Sequence, residues 1–123
     1  MSFDLFGACI VSVLATALGK IRGLSDGNVN TYLGVRYGQP LVGAMRFKAS
    51  QMAEAWPDIY DATQYPNRAM QEKTLSTLGL PVSGAVSEDC LFLNIYSPKT
   101  DSTLRPVLVW FHGGVRRGSA NEY

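Results

Sequence analysis

Pro106-Val107-Leu108-Val109-Trp110-Phe111-His112-Gly113-Gly114 is an apolar run that ends in a glycine pair. The five apolar residues 107–111 are too few for an amphipathic helix and suit a strand buried on both faces. Val, Trp and Phe favour extended backbone. Pro106 stands at the entrance, where a missing N–H costs least. The spacing therefore predicts a strand over 107–111. Gly113 and Gly114 would let the chain turn sharply and let another group approach their N–H donors. Ligands of open α/β sheets bind at the carboxyl ends of strands. His112-Gly113-Gly114 is thus a candidate anion or oxyanion cradle.

Working back from that run, residues 98–105 read as a polar turn. Before them, 90–96 alternates, with Leu91, Leu93 and Ile95 on one face and Phe92, Asn94 and Tyr96 on the other. That is a strand pattern. Residues 79–87 form a loop of Gly, Pro, Ser and small apolar side chains, and 68–78 is long enough for one short helix. Trp56-Pro57 and Tyr65-Pro66 punctuate an irregular stretch, since proline disfavours helix at the residue before it. Residues 38–44 are a Gly/Pro loop closed by Met45-Arg46-Phe47. Strands are predicted over 11–17, 19–23 and 29–37, and Ser25-Asp26-Gly27-Asn28 marks the turn between the last two. Together they make a small antiparallel sheet. No internal repeat or low-complexity tract is visible.

Bulk properties narrow the function classes. The 123 residues suffice for one small domain, and 46% hydrophobic with 17% charged residues is globular composition. A net charge of +1 gives no electrostatic footprint for nucleic acid or an anionic membrane. One histidine and two cysteines, Cys9 and Cys90, do not suggest a zinc site or a disulfide scaffold. No metal and no cofactor are expected. Residues 5–18 are apolar and uncharged, yet too short for a confident membrane span. The only early charge is Asp4, so the basic region of a secretory leader is missing. Residues 1–12 stand as a candidate leader remnant, and the lean is towards a non-secreted protein.

An ordered series of motifs resembles the N-terminal part of the type-B carboxylesterase and cholinesterase family of α/β-hydrolases. It comprises Thr16 with Gly19-Lys20-Ile21-Arg22-Gly23, Tyr32-Leu33-Gly34-Val35-Arg36-Tyr37, and Val42-Gly43 with Met45-Arg46-Phe47. Trp56, Asp61-Ala62-Thr63, residues 87–98 and finally 106–114 follow in order. The run Glu88-Asp89-Cys90-Leu91-Phe92-Leu93-Asn94 carries the most weight. The fold class implied is α/β: a small antiparallel sheet leading into the first strands of a central mixed sheet. Residues 1–123 would be the N-terminal part of a single domain.

The resemblance implies a serine hydrolase of small-molecule carboxylic esters that works through an acyl-enzyme. Its nucleophile would stand on a Gly-x-Ser-x-Gly elbow, with the catalytic triad expected downstream of Tyr123 and this segment inactive alone. Gly113, Gly114 and Val115 would form the oxyanion-hole loop, with His112 orienting it rather than acting as a base. The family loop has one more residue than His112-Gly113-Gly114-Val115-Arg116-Arg117-Gly118. Val115 therefore takes the place of a small residue, and a β-branched side chain resists φ > 0. Arg116-Arg117 reads as a solvated pair or, secondarily, as a preference for acidic substrates. Arg46 and Glu88 match a family salt bridge. Ala69 stands where the family often has a cysteine bonded to the one matching Cys90, so Cys90 is expected as a buried, inert thiol. No aromatic residue occurs between Ala69 and Cys90. That absence speaks against a quaternary-ammonium ester specialist. The alternative is a non-catalytic interaction protein on the same fold; a third reading is a small domain with no activity of its own.

Overall fold

The computed structural model describes residues 10–71, 85–99 and 101–113. They form a single sheet of five strands: β1 (Ile10–Thr16), β2 (Gly19–Ser25), β3 (Val29–Arg36), β4 (Tyr60–Asp61) and β5 (Phe92–Pro98). The order is β1-β2-β3-β5, antiparallel throughout, with β4 added in parallel to β2.

The first hairpin is closed by a side chain from far along the chain. Thr16 Oγ1 donates to the Gly19 carbonyl at 2.7 Å and accepts the Leu18 amide. Trp56 then crosses the turn, its indole donating to the Lys20 carbonyl at 2.8 Å and its amide to the Leu18 carbonyl at 2.9 Å. Gly19 has φ +134°, and a Cβ there would meet the Trp56 ring at 2.6 Å. Only glycine allows both the conformation and the approach. The second turn is an Asx turn. The amides of Val29 and Asn28 bond Asp26 and hold its carboxyl below the usual range.

β2 and β3 pair only at Leu24–Thr31 and Ser25–Asn30, then diverge. β4 and the residues after it fill the opening. Ala62 donates to the Arg22 carbonyl and Leu33 donates to the Ala62 carbonyl, each at 2.7 Å. These bonds give partners to the Arg22 carbonyl and the Leu33 amide, which the split leaves without each other's strand. Side chains close over the gap as the core: Ile21, Tyr32, Val35 and Ala62, with Leu14, Trp56, Tyr60 and Ile95 against them.

The strands predicted over 11–17, 19–23, 29–37 and 90–96 are present with ends shifted by up to two residues. β4 was not anticipated, because two residues carry no periodicity. Over 68–71 there is no helix; Arg68 instead makes a parallel bridge to Val86. The rest of the predicted helix, 72–78, lies outside the described residues, as does 1–9 of the candidate leader remnant. Among the described residues there is no α-helix, so the helical half of the α/β expectation has no counterpart there.

The strand predicted over 107–111 is a correction. These residues are not in the sheet, and their exposures run from 65% at Trp110 to 90% at Leu108. An apolar run becomes a strand only where neighbours accept its N–H and C=O groups. No described strand flanks it.

Candidate functional site

The glycine loop follows that exposed run. His112 is exposed and its Nδ1 lies 3.0 Å from the Gly113 carbonyl oxygen. A Cβ on Gly113 would meet nothing within 4 Å among the described residues. Gly114 and Val115 lie outside the described residues. No acid or nucleophile partner of His112 occurs among the described residues.

The ordered chemistry sits instead where β3 ends beside the segment that enters β5. Between Tyr32 and Val35 the β3–β5 register shifts. Gly34 takes φ +72° there, and side chains serve both its backbone groups. Its amide donates to Asn94 Oδ1 at 3.0 Å, and the Tyr60 hydroxyl donates to its carbonyl at 2.8 Å. Burial raises the Tyr60 pKa above the ordinary tyrosine value. Two residues on, Arg36 grips Asp89 through two bonds of 2.7 and 2.8 Å, stacks on the Phe92 ring at 4.4 Å and reaches the Gly38 carbonyl. The bond to Asp89 raises the guanidinium pKa further.

Next to this clamp, Arg46 Nε and Glu88 Oε1 are 2.6 Å apart, joining the loop before β4 to the strand-entry segment. This pair is more exposed than Arg36–Asp89, with side chains 50% and 37% exposed against 21% and 29%. Cys90 follows directly. It is a half-buried free thiol, and burial first and the Asp89 charge second push its pKa up. Arg36, Asp89 and Asn94 stand in the motif runs but were given no role from the sequence, and Tyr60 was not singled out. The Arg36–Asp89 pair spans 53 positions, and no local pattern marks such a partner.

One run, Gly23-Leu24-Ser25-Asp26-Gly27, spells Gly-x-Ser-x-Gly in letters, which the expectation of a triad wholly downstream passed over. A nucleophile elbow joins a strand to a helix. Here the run is the end of β2 and a turn into β3, with Ser25 in register with both Ile10 and Asn30 and its Oγ accepting the Gly27 amide. It is a hairpin, not an elbow.

The comparisons with known proteins agree with the motif series. The family model described as "Carboxylesterase family" matches residues 11–123. The chain belongs to the carboxylesterase family. It is 39% identical over 102 residues to a para-nitrobenzyl esterase of Bacillus subtilis, covering 83% of this chain and 21% of that protein. It is 38% identical over 112 residues to a mouse cholinesterase, covering 83% of this chain and 19% of that one. Among solved structures, a thermophilic PNB esterase superposes with a TM-score of 0.81 at 38% identity, over 90% of this chain and 23% of its own. The chain thus spans about a fifth of the length of the curated relatives it matches. Within this carboxylesterase segment the matched region contains the described sheet from the second residue of β1 onward, the Arg36–Asp89 clamp and the glycine loop. No helix among the described residues is long and apolar enough to cross a membrane.

Proposed function

We propose that this carboxylesterase segment is the N-terminal part of a serine carboxylic-ester hydrolase that works through an acyl-enzyme. In this reading it supplies the strands leading into a central mixed sheet and the Gly113, Gly114, Val115 loop, while the triad comes from residues after Tyr123. The substrate is a small-molecule carboxylic ester. The observation that carries the reading is the family match from residue 11 to residue 123, which includes the glycine loop. The loop would offer backbone N–H groups to the oxyanion that forms when the serine attacks the ester carbonyl. His112 orients the loop, Arg46–Glu88 and Arg36–Asp89 hold the β5 entry, and Cys90 stays a thiol.

A chimera tests this. Residues 11–123 replace the matching segment of the Bacillus subtilis para-nitrobenzyl esterase. The expected result is hydrolysis of an aryl ester with a burst of released phenol, and stoichiometric labelling by an organophosphonate. A folded chimera with neither burst nor label would sink the reading. It would favour the alternative, a non-catalytic interaction protein, which the valine at position 115 independently supports.

A further inference from the structure

In the turn between β2 and β3, Asp26 is followed by Gly27, and no other aspartate or asparagine of the chain precedes a glycine. Both residues are exposed, and a Cβ on Gly27 would meet nothing within 4 Å among the described residues. Glycine puts no side chain beside its amide nitrogen. That nitrogen and the Asp26 carboxyl carbon can therefore close a succinimide ring, which a bulkier residue after the aspartate would hinder.

The reaction balances with water alone. The Gly27 nitrogen attacks Asp26 Cγ, the N–Cγ bond forms, and the amide hydrogen and the carboxyl OH leave together as water. A water then adds back. Attack at Cγ restores Asp26. Attack at the Asp26 main-chain carbonyl carbon opens the ring the other way and leaves isoaspartate. The main chain then runs through Cβ and Cγ, one methylene longer, and the free carboxylate hangs directly from Cα.

In the fold both reacting groups are engaged elsewhere. Asp26 Oδ1 accepts the amides of Val29 and Asn28, each at 2.8 Å. These bonds favour the ionised carboxylate, which has no OH to lose and resists attack. The Gly27 amide donates to Ser25 Oγ at 3.2 Å, and the Asp26 amide donates to the Val29 carbonyl at 3.2 Å, closing the turn. We propose that Asp26-Gly27 is a site of isoaspartate formation that this turn guards while the chain is folded, and that the product cannot rebuild the turn. The inference goes beyond the esterase reading and does not depend on it. A carboxylate carried on Cα, beside a lengthened main chain, no longer reaches the two amides as Oδ1 does. The turn adjoins Ser25–Asn30 and Leu24–Thr31, the two pairs by which β2 and β3 meet. Isomerisation therefore acts on the seam between those strands.

The full 123-residue chain, folded or in urea, is incubated at neutral pH in heavy-oxygen water and then cut with trypsin. The peptide 23–36 should gain isoaspartate, read by enzymatic isoaspartyl methylation, with one solvent oxygen taken up per event. The rate in urea should be at least about tenfold the folded rate, because the folded chain reacts only through local opening of the turn. Ser25→Ala frees the Gly27 amide and should speed the folded reaction several-fold. If that variant does not fold by circular dichroism, the ratio of folded to urea rates in the unaltered chain decides. The isoaspartate-bearing fraction should unfold at a lower urea concentration than unreacted chain. Four outcomes overturn the proposal: no isoaspartate in this peptide even in urea, equal rates folded and in urea, a folded Ser25→Ala variant that reacts no faster, or a product with an unchanged unfolding midpoint.

Discussion

Phe47 is the described non-glycine residue with positive φ, at +60°, and its ring is 96% exposed. A bulky side chain in the left-handed region costs roughly 1–2 kcal/mol. The only compensation in view is the Arg46 guanidinium 5.1 Å over the ring, which is weak at an exposed site. Phe47→Gly should therefore be more stable than Phe47→Ala by about 0.5–1 kcal/mol in denaturant unfolding. Equal stabilities would mean that the loop relaxes out of this conformation. A second residue-scale expectation concerns Tyr96, whose pKa is pushed up to about 12 by burial first and by its hydrogen bond and charge interaction with Tyr65 second. The unfolded tyrosine titrates near 10. The folded value is the higher one, so its contribution to stability is complete below pH about 10. It is lost as pH rises through about 12, where the unfolded chain has already released the proton. Tyr65→Phe should lower the Tyr96 midpoint in a tyrosinate absorbance titration. A midpoint that stays in place would leave burial as the whole cause.

Two ion pairs tie the same strand entry, and their exposure decides their worth. Arg36–Asp89 is bidentate, about three-quarters buried and stacked on Phe92, whereas Arg46–Glu88 is about half exposed. A screened pair is worth about 0–1 kcal/mol. A partly buried charge left without its fork costs about 1.5–3 kcal/mol. Asp89→Ala should thus destabilise the sheet clearly more than Glu88→Ala, by chemical denaturation at neutral pH. The reverse order would put the weight of the β5 entry on the loop rather than on the end of β3. Gly23 marks a different constraint on the same sheet: a Cβ there would run into the Thr31 carbonyl and the Tyr32 ring. Gly23→Ala should cost about 1–3 kcal/mol, the usual range for overpacking.

For the molecule as a whole, the esterase reading makes two demands. Residues 1–123 alone should show no ester hydrolysis above a protein blank. The one Gly-x-Ser-x-Gly run is a hairpin, and the sole histidine, His112, lies exposed against Gly113. Organophosphonate labelling that disappears on mutating one serine of this chain would contradict that. In the chimera, the shortened loop should misplace one oxyanion donor, a loss worth about 2.7–4 kcal/mol, or roughly 10²–10³ in rate. Val115→Gly with a phenylalanine inserted after it should raise kcat on a simple aryl ester at least about tenfold, with less change in KM. An unchanged kcat in a variant of equal thermal stability would mean that Val115 already sits correctly.

Strand alternation, turn residues and the ordered motifs were legible in the sequence by itself. They located β1, β2, β3 and β5 and pointed to the family, because strand period and turn chemistry are local properties of the backbone. Arg46 and Glu88 were legible as partners only through the resemblance. Tertiary structure alone decided the rest. β4 exists because β2 and β3 diverge, and two residues cannot announce themselves by periodicity. The fork of Arg36 on Asp89, and Asn94 and Tyr60 on Gly34, join positions dozens of residues apart, where nothing in the local sequence specifies distance. The run 107–111 carries a strong local strand signal and yet joins no described strand. A strand is a relation between two segments, and the hydrogen-bond partner that completes it is not written in the residues that form it.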